Sequence, residues 1–95
     1  MKLEWIGTSL SDLASIRNYI AERNPAAADR IAHDIDKAAQ FLKPFPNLGR
    51  PTYRSDIRLL QVPNLPYLLP YRVNGEIIEI LAVFDERRER PDGWL

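Results

Sequence analysis

Tyr67-Leu68-Leu69-Pro70-Tyr71-Arg72-Val73-Asn74-Gly75-Glu76-Ile77-Ile78-Glu79-Ile80-Leu81-Ala82-Val83-Phe84 decides the fold. Two strand-like runs flank Asn-Gly, the strongest two-residue hairpin signal, because both central positions of a type I′ turn need positive φ. The pattern predicts an antiparallel hairpin in which Val73 faces Glu76. Pro70 then falls opposite Glu79, with its missing N–H turned away from the last strand. Cross-strand partners share a face. One face carries Tyr67, Leu69, Tyr71, Ile78, Ile80 and Ala82. The other carries Leu68, Pro70, Arg72, Ile77, Glu79, Leu81 and Val83, which is aliphatic but interrupted by charge.

Working upstream, Ile57–Val62 reads as the strand before the hairpin, and Pro63-Asn64-Leu65-Pro66 as the turn between them. Before Arg50 the period is helical. Ala28, Ile31, Ala32, Ile35, Ala39 and Leu42 form one apolar stripe, so a helix is predicted over about 25–43. Asn24-Pro25 supplies its N-cap and its first residue. Leu10, Leu13, Ile16 and Ile20 predict an earlier helix over about 9–23, capped by Thr8 or Ser9, with Asp12 favourable in its first turn. Two helices with so short a connection pack as an antiparallel hairpin. At the start, Lys2–Ile6 alternates as a strand with Leu3 and Trp5 inward. The fold class is therefore α+β, one domain over 1–95 in the order β-α-α-β-β-β. A helical hairpin covers one face of a small, mainly antiparallel, four-stranded sheet. The other face is left to a partner or to the tail Pro91–Leu95.

Composition excludes several function classes. The chain has 95 residues and no cysteine, which removes disulfides, thiolate chemistry and cysteine zinc sites. No apolar run approaches membrane-spanning length, and the N-terminus lacks the pattern of a signal peptide, so a cytoplasmic protein without membrane contact is expected. Thirteen basic residues balance thirteen acidic ones. Dedicated nucleic-acid binders carry a basic excess, so sequence-specific nucleic-acid binding by this chain alone is not expected. His33 is the one histidine, lying off the helical stripe. Metal-ligand spacing, a phosphate loop and a nucleophile–base pair are all missing, so neither catalytic residues nor a metal nor a cofactor is predicted. What stands out is the second half, where every basic residue is arginine, the side chain of directional recognition.

Taken together, Asn24-Pro25-Ala26-Ala27, Leu48-Gly49-Arg50-Pro51, the Tyr67–Gly75 hairpin and Ile78–Phe84 running into an arginine-rich end resemble the RelE/ParE superfamily of bacterial type II toxins, closest to its ParE branch. The resemblance covers nearly the whole chain. It implies a toxin that inhibits DNA gyrase by binding and is neutralised by a cognate ParD-like antitoxin. The superfamily's other activity, ribosome-dependent mRNA cleavage, is the alternative, and an antitoxin-binding module without toxicity is a third. Leu68 stands where the nucleases carry arginine, Asp85 where a histidine or basic residue is common, and Trp94 where they carry a titratable ring. RNA cleavage needs groups that move protons, and the arginines supply only charge stabilisation. Arg50, Arg58, Arg72, Arg87 and Arg88 are thus the expected target contacts. Leu68, Ile77, Leu81 and Val83 are the expected antitoxin surface.

Overall fold

A computed structural model describes residues 1–88. Its elements are β1 (Lys2–Trp5), α1 (Ser9–Ala21), α2 (Pro25–Gln40), β2 (Arg50–Pro51), β3 (Arg58–Gln61), β4 (Tyr67–Asn74), β5 (Ile77–Ile80) and β6 (Phe84–Asp85). They form a mixed sheet in the order β1-β5-β4-β3-β2, with β6 paired to β4 beyond the end of β5. β1 lies parallel to β5, and the other pairings are antiparallel. The α+β class and the order of the main elements are as read from the sequence. The sheet has six strands rather than four, because two-residue segments before β3 and after β5 also pair.

The helical hairpin follows its sequence signals. Asn24 caps α2 by accepting the Ala27 N–H at 3.1 Å, and Pro25 opens the helix where no N–H is needed. The predicted stripe is buried at Ala28, Ile35, Ala39 and Leu42. The regular helix ends at Gln40, after which Leu42 and Lys43 bond three residues back in a tightened last turn. α1 is the weaker element: Leu13 and Ile16 pack on the core, but Leu10 is exposed. Leu10 was expected inside; it belongs to the first turn, beyond the part of the helix that meets the sheet core.

Leu60, Leu69, Tyr71, Ile78 and Ile80 form the sheet side of the core against Ile35, Ala38, Ala39 and Leu42, with Leu3 and Trp5 packed at its edge. Within β4 and β5 the faces of the hairpin are those predicted, but its register is not. Asn74 pairs with Ile77, Val73 with Ile78, Arg72 with Glu79 and Tyr71 with Ile80. The two-residue loop is therefore Gly75-Glu76. Of the two turn residues, Gly75 alone has positive φ (+62°), as a type II′ turn requires, and Asn74 is extended within the strand. The predicted type I′ turn is thus corrected. The shift moves each strand by one residue in opposite senses, so the side chains of β4 and β5 keep their faces. It also brings Arg72 opposite Glu79, where the expected register put an isoleucine.

Pro70 explains why β5 stops. Its carbonyl accepts the Leu81 N–H at 2.9 Å, so its backbone faces β5 and the reciprocal bond cannot form. The missing N–H therefore points toward the last strand, opposite to the expectation, and pairing with Leu59 on β3 continues undisturbed. Pairing resumes at Leu68–Phe84 and Tyr67–Asp85. Two steps along β4 match three along the other segment, which is a one-residue bulge. The predicted continuous strand Glu76–Phe84 is consequently two strands. The bulge turns Val83 onto the helix face, into the core, and puts Asp85 beside Tyr67 on that same face.

Candidate target and partner surfaces

The five arginines separate into two clefts and one edge. Arg58 and Arg72 line an opening of about 540 Å³ together with Asn47, Asp56 and Tyr71. Arg58, on β3, donates to the Gly49 carbonyl at 2.7 Å and more weakly to that of Asn47 at 3.4 Å. Arg72, on β4, donates from Nε to Glu79 Oε1 at 2.7 Å, and this hydrogen bond raises its already high pKa. Both guanidiniums are held in place by these bonds. Arg50 lies on the edge strand β2, exposed and outside both clefts.

The second cleft, about 480 Å³, opens between α1 and the strand after the bulge. It is lined by the apolar Ile16, Ile20, Val83 and Phe84 and by Tyr19, Tyr67, Asp85, Arg87 and Arg88. Asp85 accepts from Arg87 Nε at 3.0 Å, Nη2 at 2.8 Å and the Arg87 backbone N–H at 2.9 Å. The Arg87 bond holds the Asp85 carboxyl below its ordinary range despite burial, so the pair stays ionised. Arg88 and Arg23 both lie over the Tyr19 ring, 5.2 and 4.5 Å from its centre. Burial, and then the Asp85 charge, push the Tyr67 hydroxyl above the usual tyrosine pKa. At neutral pH it is a hydrogen-bonding phenol and not a proton acceptor.

The anticipated apolar strip is shorter than expected. Leu68 is fully buried, and Val83 is on the opposite face with 4% exposure. Ile77 and Leu81 are half-buried on one face, with the Arg72–Glu79 pair between them in the strand order. Trp94 and the tail Pro91–Leu95 lie outside the described residues. No group of side chains suited to a metal ion, and no helix long and apolar enough to cross a membrane, occurs among the described residues.

Sequence reasoning missed Asp12 and Tyr19. Asp12 was read as a helix-dipole charge; its Oδ2 accepts the Val83 N–H at 3.0 Å and the Thr8 hydroxyl at 3.0 Å, tying α1 to the bulge. Nothing in the local sequence signals a bond across that separation. Tyr19 was legible in principle, as an aromatic off the helical stripe.

Comparison with known proteins bears on what these surfaces serve. Residues 3–90 match the family described as "ParE toxin of type II toxin-antitoxin system, parDE". The chain is 32% identical over 90 residues to the Y4kP protein of Sinorhizobium fredii, covering 95% of this chain and 93% of that one. It is 34% identical over 79 residues to "Toxin RelE2" of Caulobacter vibrioides, covering 83% and 88%. Among solved structures, the "Chromosomal ParDE TA system from P. aeruginosa" superposes with a TM-score of 0.82 at 28% identity, over 90% of this chain and 95% of that one.

Proposed function

This chain belongs to the family of ParE toxins of type II toxin–antitoxin systems, and from that premise we propose that it arrests cells by binding DNA gyrase and that a ParD-like antitoxin neutralises it. The observation that carries the binding mechanism is the fixing of three candidate arginines. Arg58 is held by backbone carbonyls, Arg72 by Glu79 and Arg87 by Asp85. A guanidinium already oriented loses less conformational freedom when it meets its partner, so such groups suit recognition. Arg50 and Arg88 complete the set as exposed directional contacts. The phenol of Tyr67, kept protonated, adds a donor to the cleft of Arg87 and Arg88 and no base.

The antitoxin reading rests on Ile77 and Leu81, which present apolar surface on the sheet face that also bears Arg72. An antitoxin segment that folds on binding would cover this strip and set a carboxylate against Arg72. Leu68 is packed away from solvent on that face, and Val83 belongs to the core on the other. The binding takes place in the cytoplasm, where the target and the antitoxin are encountered.

Inducible expression without antitoxin tests the assignment. Replication arrest with a DNA-damage response and intact bulk mRNA is the expected result. Single alanines at Arg58 or Arg72 should abolish arrest in a folded protein, since truncating an arginine that becomes buried and paired in a complex leaves its partner's charge uncompensated. Ribosome-dependent mRNA cleavage lost on the same substitutions would overturn the gyrase reading in favour of a ribonuclease.

A further inference from the structure

The segment after α2 holds three large apolar side chains in solvent. Phe41, Phe45 and Leu48 are 50%, 58% and 55% exposed. Phe45 bonds back to the Phe41 carbonyl and Leu48 to that of Phe45, so the three follow one another on successive turns. A domain of this size gains nothing in stability from leaving them outside, and contiguous exposed apolar groups mark interaction sites.

The loop that carries them is clamped from the core. The hydroxyl of fully buried Tyr71 donates to the Pro46 carbonyl at 2.7 Å and accepts the Gly49 N–H at 2.9 Å. Arg58 binds the Gly49 carbonyl from the other side. Gly49 has no room for a side chain: a Cβ would lie 2.5 Å from Tyr71 Cε1 and 2.9 Å from the Leu59 carbonyl. A buried hydroxyl, an arginine and an obligatory glycine thus fix the backbone between Phe45 and Arg50. Rigid presentation of apolar side chains lowers the ordering cost of docking.

The stretch that carries them is basic. Lys37, Lys43, Arg50 and Arg54 fall between Asp36 and Asp56, and of these Arg54 is paired with Asp56. We propose that Phe41, Phe45 and Leu48 form a preformed anchor for the toxin's target protein, seated in an apolar pocket of the target that is bordered by carboxylates, with Lys43 and Arg50 meeting that border. This rests on the reading that the chain acts by binding a target. It adds the apolar contact that the arginines alone do not provide, since anchors of this kind carry most of the energy in protein interfaces.

The test compares the wild-type chain with the double variant Phe45→Ser/Leu48→Ser, with Lys43→Glu and with the conservative Phe45→Leu. Circular dichroism establishes that each is folded, as expected for exposed positions. Growth arrest on induction and inhibition of purified gyrase are read in parallel. The double variant and Lys43→Glu should lose arrest and raise the half-inhibitory concentration by ~30-fold or more, while Phe45→Leu retains most activity. Full toxicity of the folded double variant overturns the proposal. Arrest by the wild-type chain without gyrase inhibition refutes the gyrase reading alone, and the growth readout of the variants still decides the anchor. A wild-type chain that causes no arrest overturns both.

Discussion

Replacing Tyr71 by phenylalanine removes one oxygen from the centre of the molecule and leaves the ring in place. That oxygen serves two backbone groups, the Gly49 N–H and the Pro46 carbonyl. Gly49 is buried, so its N–H finds no water, and an unsatisfied buried donor costs about 1–3 kcal/mol. Pro46 is half-buried, so water recovers part of its bond and the loss there is about 1 kcal/mol. Together the variant should lose about 2–4 kcal/mol, against a total of roughly 5–15 kcal/mol for a domain of ordinary stability. At this chain length the loss lowers Tm by roughly 8–32 °C. Thermal and urea unfolding followed by far-UV circular dichroism measure it. The variant should still fold, with an unchanged urea slope, because the packed ring remains. A change of less than about 0.5 kcal/mol would refute the argument that this hydroxyl clamps the loop before β2.

Three further outcomes follow from the same geometry. Asp12→Ala removes the acceptor of the Val83 N–H and should cost about 1–3 kcal/mol, measured by urea unfolding; Asp12→Asn, which keeps a carbonyl, should cost less. Asp85 has a folded-state pKa below its unfolded value, so its stabilisation is present above the unfolded pKa of about 3.9 and is lost as pH falls through the folded one. Unfolding between pH 5 and 2 should therefore show an acid-side loss that is smaller in Asp85→Asn. Arg72→Met should leave unfolding stability essentially unchanged, since water screens the half-exposed pair, yet weaken antitoxin binding measured by calorimetry.

How much was legible depends on whether a signal was local. Asn24-Pro25 names a cap and a first helical residue, and the α2 stripe repeats at helical spacing, so the hairpin of helices and its buried side were readable. The strand faces were readable too, because alternation survives a register shift that moves both partners together. The turn itself was not: Asn74-Gly75 and Gly75-Glu76 are both permissible loops, and the choice follows from pairing Arg72 with Glu79 across the strands. The bulge was half legible. Pro70 announces a disturbed ladder, but the side on which its N–H is missing depends on that same register. Because the bulge decides where Val83 and Asp85 point, the second cleft and the limits of the apolar strip were hidden with it. The arginines could be picked out by type alone. Their grouping into Arg58 with Arg72 and Arg87 with Arg88 required the fold.

The most direct test of action by binding is titration of purified gyrase, in a DNA supercoiling assay, with the purified chain. Inhibition should saturate at a fixed ratio of chain to enzyme and should be reversed by one equivalent of the antitoxin. It should be lost in Arg58→Ala and Arg72→Ala variants that remain folded. Unimpaired supercoiling at saturating chain, together with cleavage of ribosome-bound mRNA by the same preparation, would contradict it.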